Sequence, residues 1–166
     1  QLASFDKKNN SLNLTKTDFH PHLKRLCEDF KFISTMEEID FNYEINGDQF
    51  MIKCEPMHLT NAINNLLDNA KKFSTGIPKI NLKTEIRNKK LHITVKDNGI
   101  GIEKKEHKNI FKKHYRVTQG DLYTVKGYGL GLNYVKKIIN LHKGKIELES
   151  TINEGTKITI KLPILS

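Results

Sequence analysis

Between Pro56 and Lys72 the chain carries two separate lines of side chains at helical spacing, and the fold must satisfy both. Leu59, Ala62, Ile63, Leu66, Leu67 and Ala70 recur at intervals of three and four, which makes a continuous apolar stripe. On another face Asn65, Asp68, Asn69 and Lys72 stand at i, i+3, i+4 and i+7, so these polar groups point together. Solvation is the ordinary reason for asparagine on a helix. Asn61, Asn64, Asn65 and Asn69 fall within nine residues, however, and asparagine is a mediocre helix former. Asn61 and Asn64 are assigned to solvation; Asn65 and Asn69 call for a task.

Around that helix the periodicities alternate between types. Thr17 or Asp18 is placed to cap a helix bearing Phe19, Leu23, Leu26, Cys27 and Phe30, with Pro21 in its first turn. Ile39 to Ile45 alternates as a strand, Gly47-Asp48 turns, and Phe50 to Cys54 returns as a second strand. Gly76 and Pro78 end the central helix. Ile80, Leu82, Thr84 and Ile86, then Leu91, Ile93 and Val95, make a hairpin about Asn88 to Lys90. A short helix is expected near Glu103 to Phe111. Another carries Val135, Ile138 and Ile139 to a C-cap at Gly144, and strands at Ile146–Glu149 and Thr156–Leu162 close the domain. Residues 1 to 14 are polar and aperiodic, and read as a linker or the tail of a preceding helix; residues 15 to 166 form one domain.

Two glycine-bearing stretches follow the asparagine helix. In the first, Asp97-Asn-Gly-Ile-Gly-Ile102, Asp97 keeps the phase of Leu91, Ile93 and Val95, so its carboxylate faces the core side. An Asx-turn before Asn98-Gly99 is the plain alternative. Gly99 and Gly101 follow at a spacing that lets backbone approach a ligand, with Ile102 next to them. A buried acceptor-only carboxylate accepts from the adenine amino group and repels the guanine carbonyl. Thr156, in phase with Ile158, Ile160 and Leu162, points to the same side. The second stretch, Gly127-Tyr-Gly129-Leu130-Gly131-Leu132, opens a helix whose unpaired N–H groups suit an anion. No Lys-Ser or Lys-Thr follows, so it is not a Walker loop, and no βαβ unit surrounds it.

These boxes, in this order, resemble the catalytic ATP-binding domain of a sensor histidine kinase, within the superfamily shared with DNA gyrase, mismatch-repair and heat-shock-chaperone ATPases. The likeness spans residues 12 to 164. It implies a two-layer α/β sandwich of the Bergerat type: a mixed, mainly antiparallel sheet with three helices on one face. It also implies that Mg-ATP is bound, with Asn69 supplying an oxygen to Mg²⁺, Asn65 and Lys72 near the phosphates, Phe73 against the nucleotide and Thr156 supporting Asp97. In Ile110-Phe-Lys-Lys-His-Tyr-Arg116, Phe111, Tyr115 and Arg116 match the family pattern while His114 replaces a second Phe. His114 is read as a packing substitute, Arg116 as a stabiliser of γ-phosphate charge, and residues 117 to 126 as a lid.

Hydrolytic relatives keep a Glu where this chain has Asn65. Water and hydroxyls need a base to become good nucleophiles, whereas a neutral imidazole already presents a lone pair. An amide cannot take a proton, and Asp68 is one helical position off. Transfer to histidine is therefore favoured over hydrolysis. None of the chain's own histidines has the surroundings of an acceptor: His20 and His22 lack an acidic neighbour, His58, His92 and His107 sit on polar faces, and His142 packs beside Gly144. The acceptor is expected on a separate dimerisation domain, with a response-regulator receiver downstream, in a homodimeric membrane-bound parent whose catalytic part is cytoplasmic.

Three rivals stay open: an ATPase or serine kinase of the same superfamily, a non-catalytic nucleotide sensor, and nucleic-acid binding suggested by the formal charge of +9. The lysines are scattered without interleaved aromatics, which reads as a solvated surface with no nucleic acid bound directly. Cys27 and Cys54 lack metal-ligand spacing and read as buried thiols in a reducing compartment.

Overall fold

Alternation along the strands builds the sheet. The computed structural model describes residues 12–115 and 131–165. Its elements run β1 (Thr15–Asp18), α1 (His20–Met36), β2 (Asp40–Glu44), β3 (Met51–Cys54), α2 (Pro56–Phe73), β4 (Lys79–Arg87), β5 (Lys90–Asp97), α3 (Gly131–Leu141), β6 (Lys145–Thr151) and β7 (Gly155–Pro163). Five strands form a sheet of order β2-β4-β5-β7-β6, in which only the β2–β4 pair is parallel. Leu82, Val95, Ile158 and Leu148 share one row of its inner face, and Thr84, Ile93, Ile160 and Ile146 the next. The outer face carries Lys83, Thr94, Thr159 and Glu147, as period-two alternation requires. The helices cover the inner face, and the apolar stripe of α2 is buried along its whole length. The expected two-layer sandwich, mixed and mainly antiparallel, is what the chain forms.

Several boundaries and pairings differ from the sequence reading. Phe50 to Cys54 does not return against β2; β3 pairs with β1, a strand the sequence reading did not find, in a separate two-stranded sheet. The exit of β2 is tied instead to β4, where Asn46 N–H donates to Thr84 Oγ1 at 2.8 Å and Asn46 Nδ2 to the Thr84 carbonyl at 3.0 Å. Thr17 lies in β1, and Phe19 occupies the cap of α1. Asp18 still serves that helix, since its Oδ1 accepts the N–H groups of His20 at 3.1 Å and Phe50 at 2.8 Å.

Residues 103–111 form a single 3-10 turn, Lys104–Glu106, followed by further turns. Only Ile110 and Phe111 are buried there, so no apolar stripe holds a helix down. At the end of α3 the left-handed residue is Lys143 (φ 57°), not Gly144. Gly144 is needed for space: a Cβ would lie 2.8 Å from the Lys161 carbonyl oxygen. Cys27 and Cys54 are buried and free, and burial pushes their thiols up to about 12 and about 11. They act as small apolar groups.

Candidate functional site

The inner face of the sheet turns polar at its last row, on three adjacent strands. Asp97 on β5, Thr156 on β7 and Ser150 on β6 continue the inward phases of Val95, Ile158 and Leu148. Asp97 Oδ1 accepts the backbone N–H of Gly99 at 2.7 Å and of Thr156 at 3.0 Å. Among the described residues no further donor reaches its Oδ2. Burial raises the pKa of this carboxyl, and the two N–H donors offset part of that rise. Thr156 thus meets Asp97 through its backbone. Its hydroxyl pairs with Ser150 Oγ at 2.9 Å, and Ser150 Oγ also accepts the Ile102 N–H at 2.9 Å and donates to the Gly155 carbonyl at 2.8 Å.

The segment from Asp97 to Ile102 is wedged between the end of α2 and the β6–β7 turn. Ile100 N–H donates to the Phe73 carbonyl at 3.0 Å, and Asn153 N–H donates to the Ile100 carbonyl at 2.8 Å. The close approach that Gly99 and Gly101 permit is to the protein's own backbone. A Cβ on Gly99 would come 2.5 Å from the Phe73 carbonyl oxygen, and one on Gly101, at φ +69°, 1.9 Å from that of Thr151. Asn98 pins the loop before β4, accepting the Lys79 N–H at 2.9 Å and donating to the Ile77 carbonyl at 3.1 Å.

Sequence reasoning missed Asn98, Ser150 and Gly155. Ser150 had a signal, being a polar residue in the inward phase of Ile146 and Leu148; Gly155 had one in standing directly before the in-phase Thr156.

One to two turns back along α2, Asn65 Nδ2 donates to the Asn61 carbonyl at 2.8 Å. That orients Asn65 Oδ1 toward α3, where a Cβ on Gly131 would lie 3.0 Å from it and 3.9 Å from Asn69 Nδ2. The two amides therefore meet the first described turn of α3. Asp68 instead lies beside Lys71 and Glu37, on the α1 side of the helix.

The described residues thus comprise an acidic group at a strand end, a glycine-bearing loop against the end of α2, and two amides of α2 facing the first described turn of α3. The sequence profile of the histidine kinase-, DNA gyrase B- and HSP90-like ATPases matches residues 54–166. The chain belongs to this ATPase family.

Its relatives within the family include sensor kinases. The chain is 39% identical over 167 residues to the sensor protein RprX of Bacteroides fragilis, covering 99% of this chain and 32% of that protein. It is 28% identical over 165 residues to the sensor protein kinase WalK of Staphylococcus haemolyticus, covering 98% of this chain and 27% of that protein. It therefore spans a third or less of these curated relatives. The solved catalytic domain of histidine kinase ThkA, in a nucleotide-free form, superposes with a TM-score of 0.78 at 23% identity, covering 92% of this chain and 99% of that one.

The remaining expected residues of this ATPase-family domain are divided. Lys72 is exposed, with Nζ 5.2 Å from the centre of the half-buried Phe73 ring, and Leu132 packs against the core. Phe111 is buried, its carbonyl accepts Asn133 Nδ2 at 2.9 Å, and the Tyr115 hydroxyl donates to Glu106. His114 is exposed with left-handed backbone (φ 59°), so it does not replace a packed phenylalanine. Arg116, the expected lid 117–126, Gly127, Gly129 and Leu130 lie outside the described residues.

Proposed function

We propose that the chain binds Mg-ATP and passes its γ-phosphoryl group to a histidine on a separate dimerisation and phosphoacceptor domain of the same protein. The reading rests on one observation above all. A carboxyl whose pKa is raised by burial is pinned by two backbone N–H groups through a single oxygen, at the end of β5. Pinned in this way, Asp97 is suited to accept from the adenine amino group and to reject guanine. Ile102 and Phe73 would flank the base, with Gly99 and Gly101 shaping the loop beside it.

Backbone N–H groups of Gly127, Gly129 and Leu130, with those of Gly131 and Leu132 in the first turn of α3, would take the phosphates with Lys72. Asn69 would hold Mg²⁺ through its amide oxygen, and the chemistry the ion would supply there is positive charge beside the phosphates. The donor set fits, because an ion that keeps several waters needs only one or two protein oxygens. Asn65 would orient the phosphate end without removing a proton, and Arg116 would stabilise charge on the transferred group.

The acceptor imidazole needs no base: its lone pair forms the P–N bond as the bond from the γ-phosphorus to the β,γ-bridging oxygen breaks, and ADP leaves. A response-regulator aspartate then receives the phosphoryl group. The parent is proposed to be a homodimeric, membrane-bound sensor with this part in the cytoplasm. Among the described residues no helix is long and apolar enough to cross a membrane.

The test mixes the chain with an acceptor-bearing dimerisation domain and γ-labelled ATP. Acid-labile label on that domain, absent with Asp97→Asn, supports the reading. Steady ATP hydrolysis by the chain alone, undiminished on dilution and indifferent to Asn65→Glu, would instead make it an ATPase.

A further inference from the structure

The seam between α2 and α3 carries a polar contact beyond the amides of Asn65 and Asn69. At the N-terminal end of α3, Asn65 Oδ1 faces Gly131. Two helical turns before Asn65, on the same face of α2, His58 Nδ1 lies 2.9 Å from the hydroxyl of Tyr134, which stands three residues after Gly131 on α3. The His58 Nε2 lies 3.7 Å from Glu55 Oε1. The hydroxyl also lies 3.5 Å from the His58 carbonyl and hydrogen-bonds the Asn61 side chain; with the tyrosine O–H donated to the nearer Nδ1, Nε2–H faces the carboxylate. Burial raises the Tyr134 pKa, so it remains a neutral donor. Alongside, Val135, Ile138 and Ile139 hold α3 down through apolar contact, which is non-directional and allows small slides along the seam. A hydrogen bond of fixed length does not.

We propose that Tyr134 and His58 are positioning residues for the phosphate end of the nucleotide site. Their bond sets where the first turn of α3 stands relative to Asn65 and Asn69. This rests on the reading of that turn as the phosphate cradle. The attraction of a helix end for an anion fades within its first turn, so a small slide weakens phosphate binding. Asp97 is carried by the sheet, so the adenine end is untouched. The pair therefore acts on ATP and not on adenosine.

Calorimetric or NMR titration of this chain with Mg-ATP and with adenosine tests it. Tyr134→Phe and His58→Leu should each weaken ATP about three- to tenfold, the range of one neutral hydrogen bond, with adenosine unchanged. His58→Asn, whose amide oxygen can stand in for Nδ1, should stay within about twofold of wild type. The double variant Tyr134→Phe/His58→Leu should be no weaker than either single one, as for partners in one contact. An unchanged ratio of ATP to adenosine affinity in Tyr134→Phe, or losses that multiply in the double variant, overturns the proposal alone. So does a parallel loss of both ligands in both single variants, which marks general loosening. A wild-type chain that binds neither ligand overturns the nucleotide reading and this proposal with it.

Discussion

His142, at the end of α3, accepts the backbone N–H of Glu55, at the start of α2, through Nε2 at 3.1 Å. Its Nδ1 lies 2.8 Å from the Ile138 carbonyl. A carbonyl only accepts and an amide N–H only donates, so the ring is neutral with its proton on Nδ1. The side chain is 2% exposed, and burial lowers its pKa below the ordinary 6.5.

That depressed pKa sets the sign of a pH effect. Below about pH 6.5 the unfolded chain takes up this proton while the folded chain resists it. The contribution of His142 is therefore complete above the unfolded pKa and is lost as pH falls through the folded one. Thermal melts should show wild-type stability dropping across that window. His142→Ala should flatten that component and cost about 1–3 kcal/mol at pH 7.5, since it orphans the Glu55 N–H.

Asp97→Asn separates binding from folding. The asparagine Oδ1 can still accept from Gly99 and Thr156, and the substitution removes a charge that burial disfavours. A raised folded pKa means the ionised carboxylate costs stability as pH rises through it, so at neutral pH the variant should melt at or above wild type. Calorimetry should find ATP binding lost; unchanged affinity would remove Asp97 from the adenine role.

Gly155→Ala tests the packing beneath the site. Gly155 has φ +98°, and an added Cβ would fall 2.1 Å from the Asp97 carbonyl oxygen. Left-handed strain alone costs roughly 1–2 kcal/mol, and the clash with rigid backbone adds to it. Urea unfolding should show a loss of about 3 kcal/mol or more; a loss under 1 kcal/mol would contradict the packing described.

Asn69→Ala should uncouple the cation from the nucleotide. ATP affinity measured with Mg²⁺ and with chelator should differ at least tenfold less than in wild type, about 1.4 kcal/mol of lost coupling. A variant that keeps the full Mg²⁺ dependence would place the ion elsewhere.

Much of this protein was legible because its signals are local. The stripe of α2 and the alternation of β4, β5 and β7 repeat within a few residues, and the β4–β5 turn at Asn88 and Lys89 (φ 51° and 57°) joins neighbours in the chain. The inward phase of Asp97 follows from the same short period. His114 misled the reading, because the family pattern supplied a packing role and the side chain is exposed.

By itself, then, the sequence determined most of the element types and their buried faces, and it offered the side chains proposed to serve a nucleotide. Tertiary structure decided the partners. Thr156 reaches Asp97 across 59 residues, Tyr134 reaches His58 across 76, and His142 reaches Glu55 across 87. Such contacts leave no periodic trace in the chain, since they exist only after the sheet and helices have paid the entropy of bringing distant segments together. The parallel pairing of β2 with β4, the separate β1–β3 sheet and the filling of the glycine gaps by Phe73 and Thr151 were settled at that stage, by which backbone groups found a partner.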